Sequence, residues 1–206
     1  AMVYFLRLAR THVQDEEQAV TAVLLISAYP FALFFSAAYT EALFLLTTVA
    51  AVFHFRRGEL WQAAGWGFLA GLTRPNGAFL SVVLGLMAFE TFRGEWRRVR
   101  EQASGDQPFR WSAHLDRVAT ASAPGIGMLV YSTFILFLTG NPFQWTAQNA
   151  AWGRVYRSLG TVVTDRLAFV TQNGLYAYAS SQPLDMVYLI SVVFILVAVW
   201  PVYRRF

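Results

Sequence analysis

The chain has no cysteine and no lysine among its 206 residues. The first absence excludes disulfide frameworks, thiolate metal centres and cysteine nucleophiles, and it leaves the redox compartment unmarked. The second makes sixteen arginines the whole basic complement, a bias that carries no mechanism of its own. Charge of either sign is scarce: Asp, Glu and Arg together make 14% of the chain, against about 25% in soluble domains. So few charges can hardly cover a water-exposed surface. With 56% hydrophobic and 17% aromatic residues, the composition argues against an ordinary soluble domain. No Asp-x-Asp pair suited to a nucleotide-bound metal occurs, and no metal site is indicated.

What the chain does have is a series of charge-free runs. About 20 apolar residues, at about 1.5 Å each, cross roughly 30 Å of hydrocarbon. Residues 18–55 carry one formal charge, Glu41, and read as two crossings that meet near 36–41. Residues 60–89 carry only Arg74, inside Thr73-Arg74-Pro75-Asn76-Gly77, a turn signature that divides the stretch into two short helices. Residues 118–140 and 186–203 give a fifth and a sixth run, and residues 1–8 read as the tail of a helix that began upstream. The pattern predicts an all-α polytopic membrane helix bundle of about six passes, a single transmembrane domain over residues 1–206 with a loop at about 140–185.

Arginine placement orients the bundle, because cytoplasmic loops carry the excess positive charge. Alternating the passes puts twelve of the sixteen arginines on one side: residues 7, 10, 56, 57, 93, 97, 98, 100, 110, 117, 204 and 205. Arg74, Arg154, Arg157 and Arg166 fall on the other. Both chain ends are then cytoplasmic, and the polar segments 36–41, 73–77 and 140–185 share the non-cytoplasmic face, where they can converge. The arginine-rich connectors read as topogenic charge near anionic head groups rather than as a nucleic-acid surface.

Three constellations could carry chemistry. Glu41 is a carboxylate at the edge of a membrane segment, where desolvation is costly and a polar cavity or partner is the usual reason for it. Ser36, Tyr39 and Thr40 add two hydroxyls and a phenol beside it. The alternative is that Ser36 or Thr40 caps the helix and Glu41 is a solvated first-turn acid. Arg74 lies between two short apolar helices, so its turn can sit below the membrane surface. It could clamp a phosphate bidentately, pair with Glu41 as a bridge, or snorkel to water. Asn76 could offer an amide to a sugar hydroxyl or cap the next helix. The third constellation follows Gly140-Asn141-Pro142. Residues 143–154 read as a short amphipathic helix with Trp145, Gln148 and Trp152 near one face. Indole with amide side chains suits a sugar ring, by stacking and hydrogen bonding; interfacial anchoring is the plainer reading of either tryptophan alone. Arg154 and Arg157 add phosphate contacts or face water.

Other features are set aside. Residues 65–70 spell a dinucleotide-binding string, but they lie in an apolar helix with no strand before it, and Gly67 and Gly71 read instead as close helix packing. His12, His54 and His114 are isolated and support neither a metal site nor a catalytic dyad. Asp15-Glu16-Glu17 reads as a solvated helix start.

The segment Pro30-Phe31-Ala32-Leu33-Phe34-Phe35-Ser36-Ala37-Ala38-Tyr39-Thr40-Glu41-Ala42-Leu43-Phe44 is followed by Leu72-Thr73-Arg74-Pro75-Asn76-Gly77 and then by Gln148-Asn149-Ala150-Ala151-Trp152-Gly153-Arg154. Over roughly residues 20–160 this order resembles the PIG-V family, the second mannosyltransferase of GPI-anchor assembly with its bacterial relatives, within the GT-C superfamily. The resemblance implies a multi-pass glycosyltransferase, in a bacterial cell membrane, that takes a sugar, in first place mannose, from a polyprenyl-phosphate donor on the outward face. The acceptor is a glycan or glycolipid, membrane lipids surround the protein, and no nucleic acid, soluble cofactor or metal takes part. It also implies that Glu41 and Arg74 are catalytic, Arg74 stabilising the leaving phosphate. Ser36, Tyr39, Thr40, Asn76, Gln148, Trp152 and Arg154 would then bind substrate. Such enzymes place an acidic base in the first outward loop; nothing here matches it, so the chain reads as a fragment that lacks that loop and by itself may be inactive. A GT-C enzyme for another sugar, or a polytopic transporter with an intramembrane acid and a broken helix, are the alternatives; no inverted repeat favours the latter.

Overall fold

The structure is a computed structural model that describes residues 1–28, 30–36, 39–101, 111–151 and 158–205. Among these the chain is helical throughout, with no strand. It forms two compact units, Ala1–Ala147 and Gln148–Phe206.

The first unit begins with α1 (Met2–Ala9) and α2 (Glu16–Ala28), then a 3₁₀ segment Pro30–Phe35. The acids at 15–17 behave as a helix start: Glu16 and Glu17 stand in the first turn of α2, and Asp15 accepts a hydrogen bond from the Glu17 amide at 3.0 Å. Two helices follow as an antiparallel hairpin, α3 (Glu41–Arg56) and α4 (Leu60–Thr73), joined by a turn in which Gly58 has φ +73°. A 3₁₀ turn, Pro75–Ala78, then leads into α5 (Phe79–Glu101), and α6 is Trp111–Thr139. Helix α4 is the centre: it packs on α3 on one side and on α6 on the other, and α6 also packs on α5.

Small residues make that packing possible. Ala63, Gly67, Ala70 and Gly71 are the buried positions of α4. A Cβ added to Gly71 would collide with the Pro124 carbonyl, and one added to Gly127 would collide with the Phe68 carbonyl. The two backbones therefore touch, as small-residue faces allow in membrane helices. This is the role that Gly67 and Gly71 were expected to have. Pro124 inside α6 cannot donate to the helix ladder; the next amide, Gly125, donates to Ser81 Oγ on α5 at 3.0 Å.

Two helical stretches are long and apolar enough to cross a membrane, residues 75–101 and 111–139. Only 22% of the apolar window of each is buried, so neither is the core helix of a water-soluble domain. Phe79, Val82, Leu86, Phe89, Leu129, Phe134 and Phe137 are each more than half exposed, which suits hydrocarbon as the surrounding medium. Of the six crossings that the charge-free runs predict, these two have the length and apolarity of candidate spans among the described residues. Helices α2, α3 and α4, at 13, 16 and 14 residues, are shorter than about 17–25 residues. The breaks at Pro30 and at Arg74-Pro75 are what shorten them.

Helix α7 (Gln144–Ala151) carries the boundary between the units. The second unit continues with α8 (Leu159–Asn173), α9 (Leu175–Ser181) and α10 (Pro183–Arg205). Within the connection expected at about 140–185, Gln144–Ala151, Leu159–Asn173 and Leu175–Ser181 are helical. Ser158 caps α8 by accepting from the Thr161 amide at 3.2 Å, and Gly174 ends it at φ +85°. Asp185 ties α8, α9 and α10 together, accepting from the Tyr178 hydroxyl and pairing with Arg166, both at 2.8 Å.

Candidate functional site

A hairpin of two helices of nearly equal length returns the chain to its starting level. At about 1.5 Å per residue, α3 and α4 rise about 24 and 21 Å, so the first residue of α3 meets the residue after α4. Those residues are Glu41 and Arg74. Arg74 precedes a proline, which disfavours helical backbone; at φ −151°, ψ 141° it is extended and its side chain leaves the helix. Arg74 Nη2 donates to Glu41 Oε1 at 2.7 Å, across 33 positions of sequence. Of the three expected roles for Arg74, the bridge to Glu41 is the one the structure realises.

The pair is half-buried, with 39% of the Arg74 side chain and 25% of the Glu41 side chain exposed. Glu41 Oε2, by contrast, is buried and has no hydrogen-bond partner. A desolvated carboxylate oxygen without a donor is costly, and a ligand hydroxyl is the natural donor for it. Thr48, two turns along the same face of α3, also buries an unpartnered hydroxyl, as does Ser132 on α6. Residues 67–71 of α4 lie against 124–128 of α6 with the two helices running in parallel, so Ser132 lies toward the Arg74 end of the seam. Neither residue stands out in the sequence, because Thr and Ser in apolar helices ordinarily bond the preceding turn, as Thr47 does to the Leu43 carbonyl at 3.0 Å.

The neighbours of Glu41 divide. Thr40 is at the N-cap position of α3 but makes no side-chain cap bond, and Ser36 donates to the Leu33 carbonyl at 2.9 Å. Neither caps α3, so the reading of Glu41 as a capped, solvated first-turn acid does not hold. Tyr39 is exposed and its ring meets Phe34 edge-on at 5.3 Å. Asn76 is exposed on the turn beside Arg74. That turn is held tightly: Gly77 is buried with its Cα against the Ala70 carbonyl, where no Cβ would fit. Trp145 lies on α7 in the first unit and buries an indole N–H that has no acceptor. Gln148 belongs to the second unit, and Trp152 and Arg154 lie outside the described residues.

The histidines are not isolated. His54 sits between Glu59 Oε2 at 2.5 Å and the Tyr4 hydroxyl at 3.2 Å, His12 contacts Arg56, and His114 Nε2 is 2.8 Å from Glu95. Spacing along the chain hides these partners, which come from other helices or from a turn. Among the described residues no group of three or more metal-ligating side chains forms. His54 and Arg57 hold the Glu59 carboxyl below its ordinary range, mainly through their hydrogen bonds to it. Cavities of about 380 and 440 Å³ also open at this end, away from Glu41 and Arg74. Cavity size and buried unpartnered chemistry thus point to different places; the reacting group is sought at the latter, because a buried carboxylate oxygen needs a donor.

The fold and this site define a helical protein with membrane-length apolar helices, in which a half-buried bridge between an acid and an arginine lies where two helices break. Residues 1–113, more than half of the chain, match the family profile described as mannosyltransferase (PIG-V). The chain belongs to that family and is a membrane glycosyltransferase by membership. The match includes the segments around Glu41 and Arg74 and ends before 148–154. No curated protein and no solved structure matches the chain.

Proposed function

We propose that the chain transfers mannose from a polyprenyl-phosphate donor to a hydroxyl of a glycan or glycolipid on the non-cytoplasmic face. The acceptor oxygen attacks the anomeric carbon, the bond from that carbon to the phosphate oxygen breaks, and polyprenyl phosphate leaves with the electron pair. The acceptor proton passes to a carboxylate base, which the family resemblance assigns to another loop. Negative charge grows on the departing phosphate, and Arg74 is the group that meets it. Glu41 Oε1 holds the guanidinium in place while Oε2 accepts a sugar or acceptor hydroxyl. Ser36, Tyr39, Thr40 and Asn76 line the sugar site, and the lipid tail lies between helices, so no soluble cofactor is needed.

The observation that carries this reading is the split state of Glu41, one oxygen bonded to Arg74 and the other buried without a donor, within the stretch that matches the family. Membranes containing the protein, given radiolabelled polyprenyl-phosphate mannose, should yield a labelled glycoconjugate. Labelled glucose transferred in preference to mannose would move the assignment to another sugar. Label that accumulates inside vesicles with no glycoconjugate formed would replace transfer by transport.

A further inference from the structure

The end of the first unit opposite Glu41 and Arg74 gathers cations that the transfer reaction does not use. A cleft of about 380 Å³ is lined there by Arg56 and Arg57 at the end of α3, by Arg117 near the start of α6 and by Glu90 and Met87 on α5. Three guanidiniums face one carboxylate. Arg57 is already engaged by Glu59 at 2.7 Å and Arg56 contacts His12. Arg117 is half-buried and has no ion-pair partner among the described residues, so its planar fork is the uncommitted donor set. Thr11 and Thr91, also on the wall, spend their hydroxyl protons on the Leu8 and Met87 carbonyls.

The surroundings say what kind of anion fits. The cleft lies where the end of α3 meets α5 and α6, the two membrane-length helices, and Leu86, Phe89, Leu115 and Val118, near its lining residues in sequence on those two helices, are each more than half exposed. Trp61, Trp96 and Trp111 are exposed at the same end, where amphipathic rings mark the head-group level. A cation cluster at that depth, flanked by apolar surface, suits a ligand with a phosphate at one end and acyl chains at the other. We propose that this cleft is a binding site for the phosphate head group of an anionic membrane phospholipid, held by Arg117 and Arg56. It is independent of the transfer chemistry assigned to Glu41 and Arg74.

The test uses the full chain in neutral detergent micelles, titrated with dioctanoyl phosphatidylglycerol and read by native mass spectrometry. Saturable binding is expected. Arg56→Gln with Arg117→Gln should weaken it about thirtyfold, roughly fivefold for each arginine near a charged head group. Arg97→Gln with Arg98→Gln, which removes the same charge from an exposed part of α5, should leave it unchanged. Glu90→Gln, which removes the one acid on the wall, should tighten binding by about threefold, on the scale of one like-charge contact; a gain of this kind cannot arise from misfolding. Equal losses in the two arginine pairs would reduce the cleft to diffuse charge attraction and overturn the proposal, and so would a Glu90→Gln protein that binds no more tightly. Displacement of the lipid by excess inorganic phosphate would make it a site for free phosphate instead.

Discussion

The pair of Arg74 and Glu41 can be a brace or a reaction group, and a double-mutant cycle separates the two. Two unit charges about 4 Å apart attract by about 4 kcal/mol at an effective dielectric of about 20. Exposure of 39% and 25% of the two side chains lets solvent screen much of that, leaving about 1–2 kcal/mol, between a surface pair and a buried one. Arg74→Ala should cost about that much in stability, because Glu41 Oε1 then joins Oε2 as a half-buried oxygen without a donor. Adding Glu41→Gln should return most of the loss, since a neutral amide needs no cation. Activity should behave differently. Arg74→Ala should lower kcat at least about tenfold, the scale of one lost charged contact at a developing charge, and Glu41→Gln should not restore it. The assays are the melting temperature of the detergent-solubilised protein and radiolabelled mannose transfer in membranes. Unchanged kinetics in Arg74→Ala at normal expression would refute the catalytic role, and activity recovered together with stability in the double variant would make the pair a brace and nothing more.

Three further outcomes follow from the geometry. Gly71→Val should destabilise by about 2–3 kcal/mol, because its side chain would drive α4 off the Pro124 carbonyl; Gly65→Ala, with open space at its Cβ, should stabilise by about 0.5–1 kcal/mol, both read as melting temperatures. Glu59 has a folded pKa below its unfolded one through His54 and Arg57, so its contribution is present above the unfolded carboxylate range and fades as pH falls through that range toward the folded value. Glu59→Gln should therefore flatten the acid limb of a melting-temperature profile, and an unchanged limb would show that the contact is not populated. Cysteines placed at Tyr39 and Asn76 in this cysteine-free chain should react with an impermeant maleimide from the same side of the membrane, and a cysteine at Gly58 only from the other; labelling of all three from one side would end the hairpin crossing.

The breaks were more legible than the partners. Thr73-Arg74-Pro75-Asn76-Gly77 announced where α4 stops, because a residue before proline avoids helix, and the charge-free runs on either side located α3 to α6. The contact between Glu41 and Arg74 could be posed from their places at two polar interruptions, but not chosen over a free arginine, since 33 intervening residues fix nothing until two helices of matched length fold back. The histidine partners were hidden for the same reason. Tyr4 reaches His54 from a separate helix, and Glu95 and His114 stand on different helices. Apolar content is not helix length: residues 18–55 contain enough hydrophobic chain for two spans, yet twelve positions, with Pro30 among them, separate α2 from α3.

The position of Arg74 depends on packing that is remote from it in kind. A guanidinium can form a bond at 2.7 Å with a carboxylate on another helix only if the two helix ends are fixed to within a fraction of that distance. Helix α4 achieves this through a face of alanine and glycine that lets α6 approach to backbone contact, so the rise and rotation of α4 are set by hard atoms rather than by adaptable side chains. Gly77 extends the same contact beyond the helix, seating the turn after Arg74 against the Ala70 carbonyl. Helix α3 packs on α4 as well, with Ala51 and Phe55 in the same buried cluster as Ala63 and Ala70 of α4. Arg74 is therefore placed from the α4 side by backbone contact, and Glu41 Oε1 meets its guanidinium from α3 at 2.7 Å.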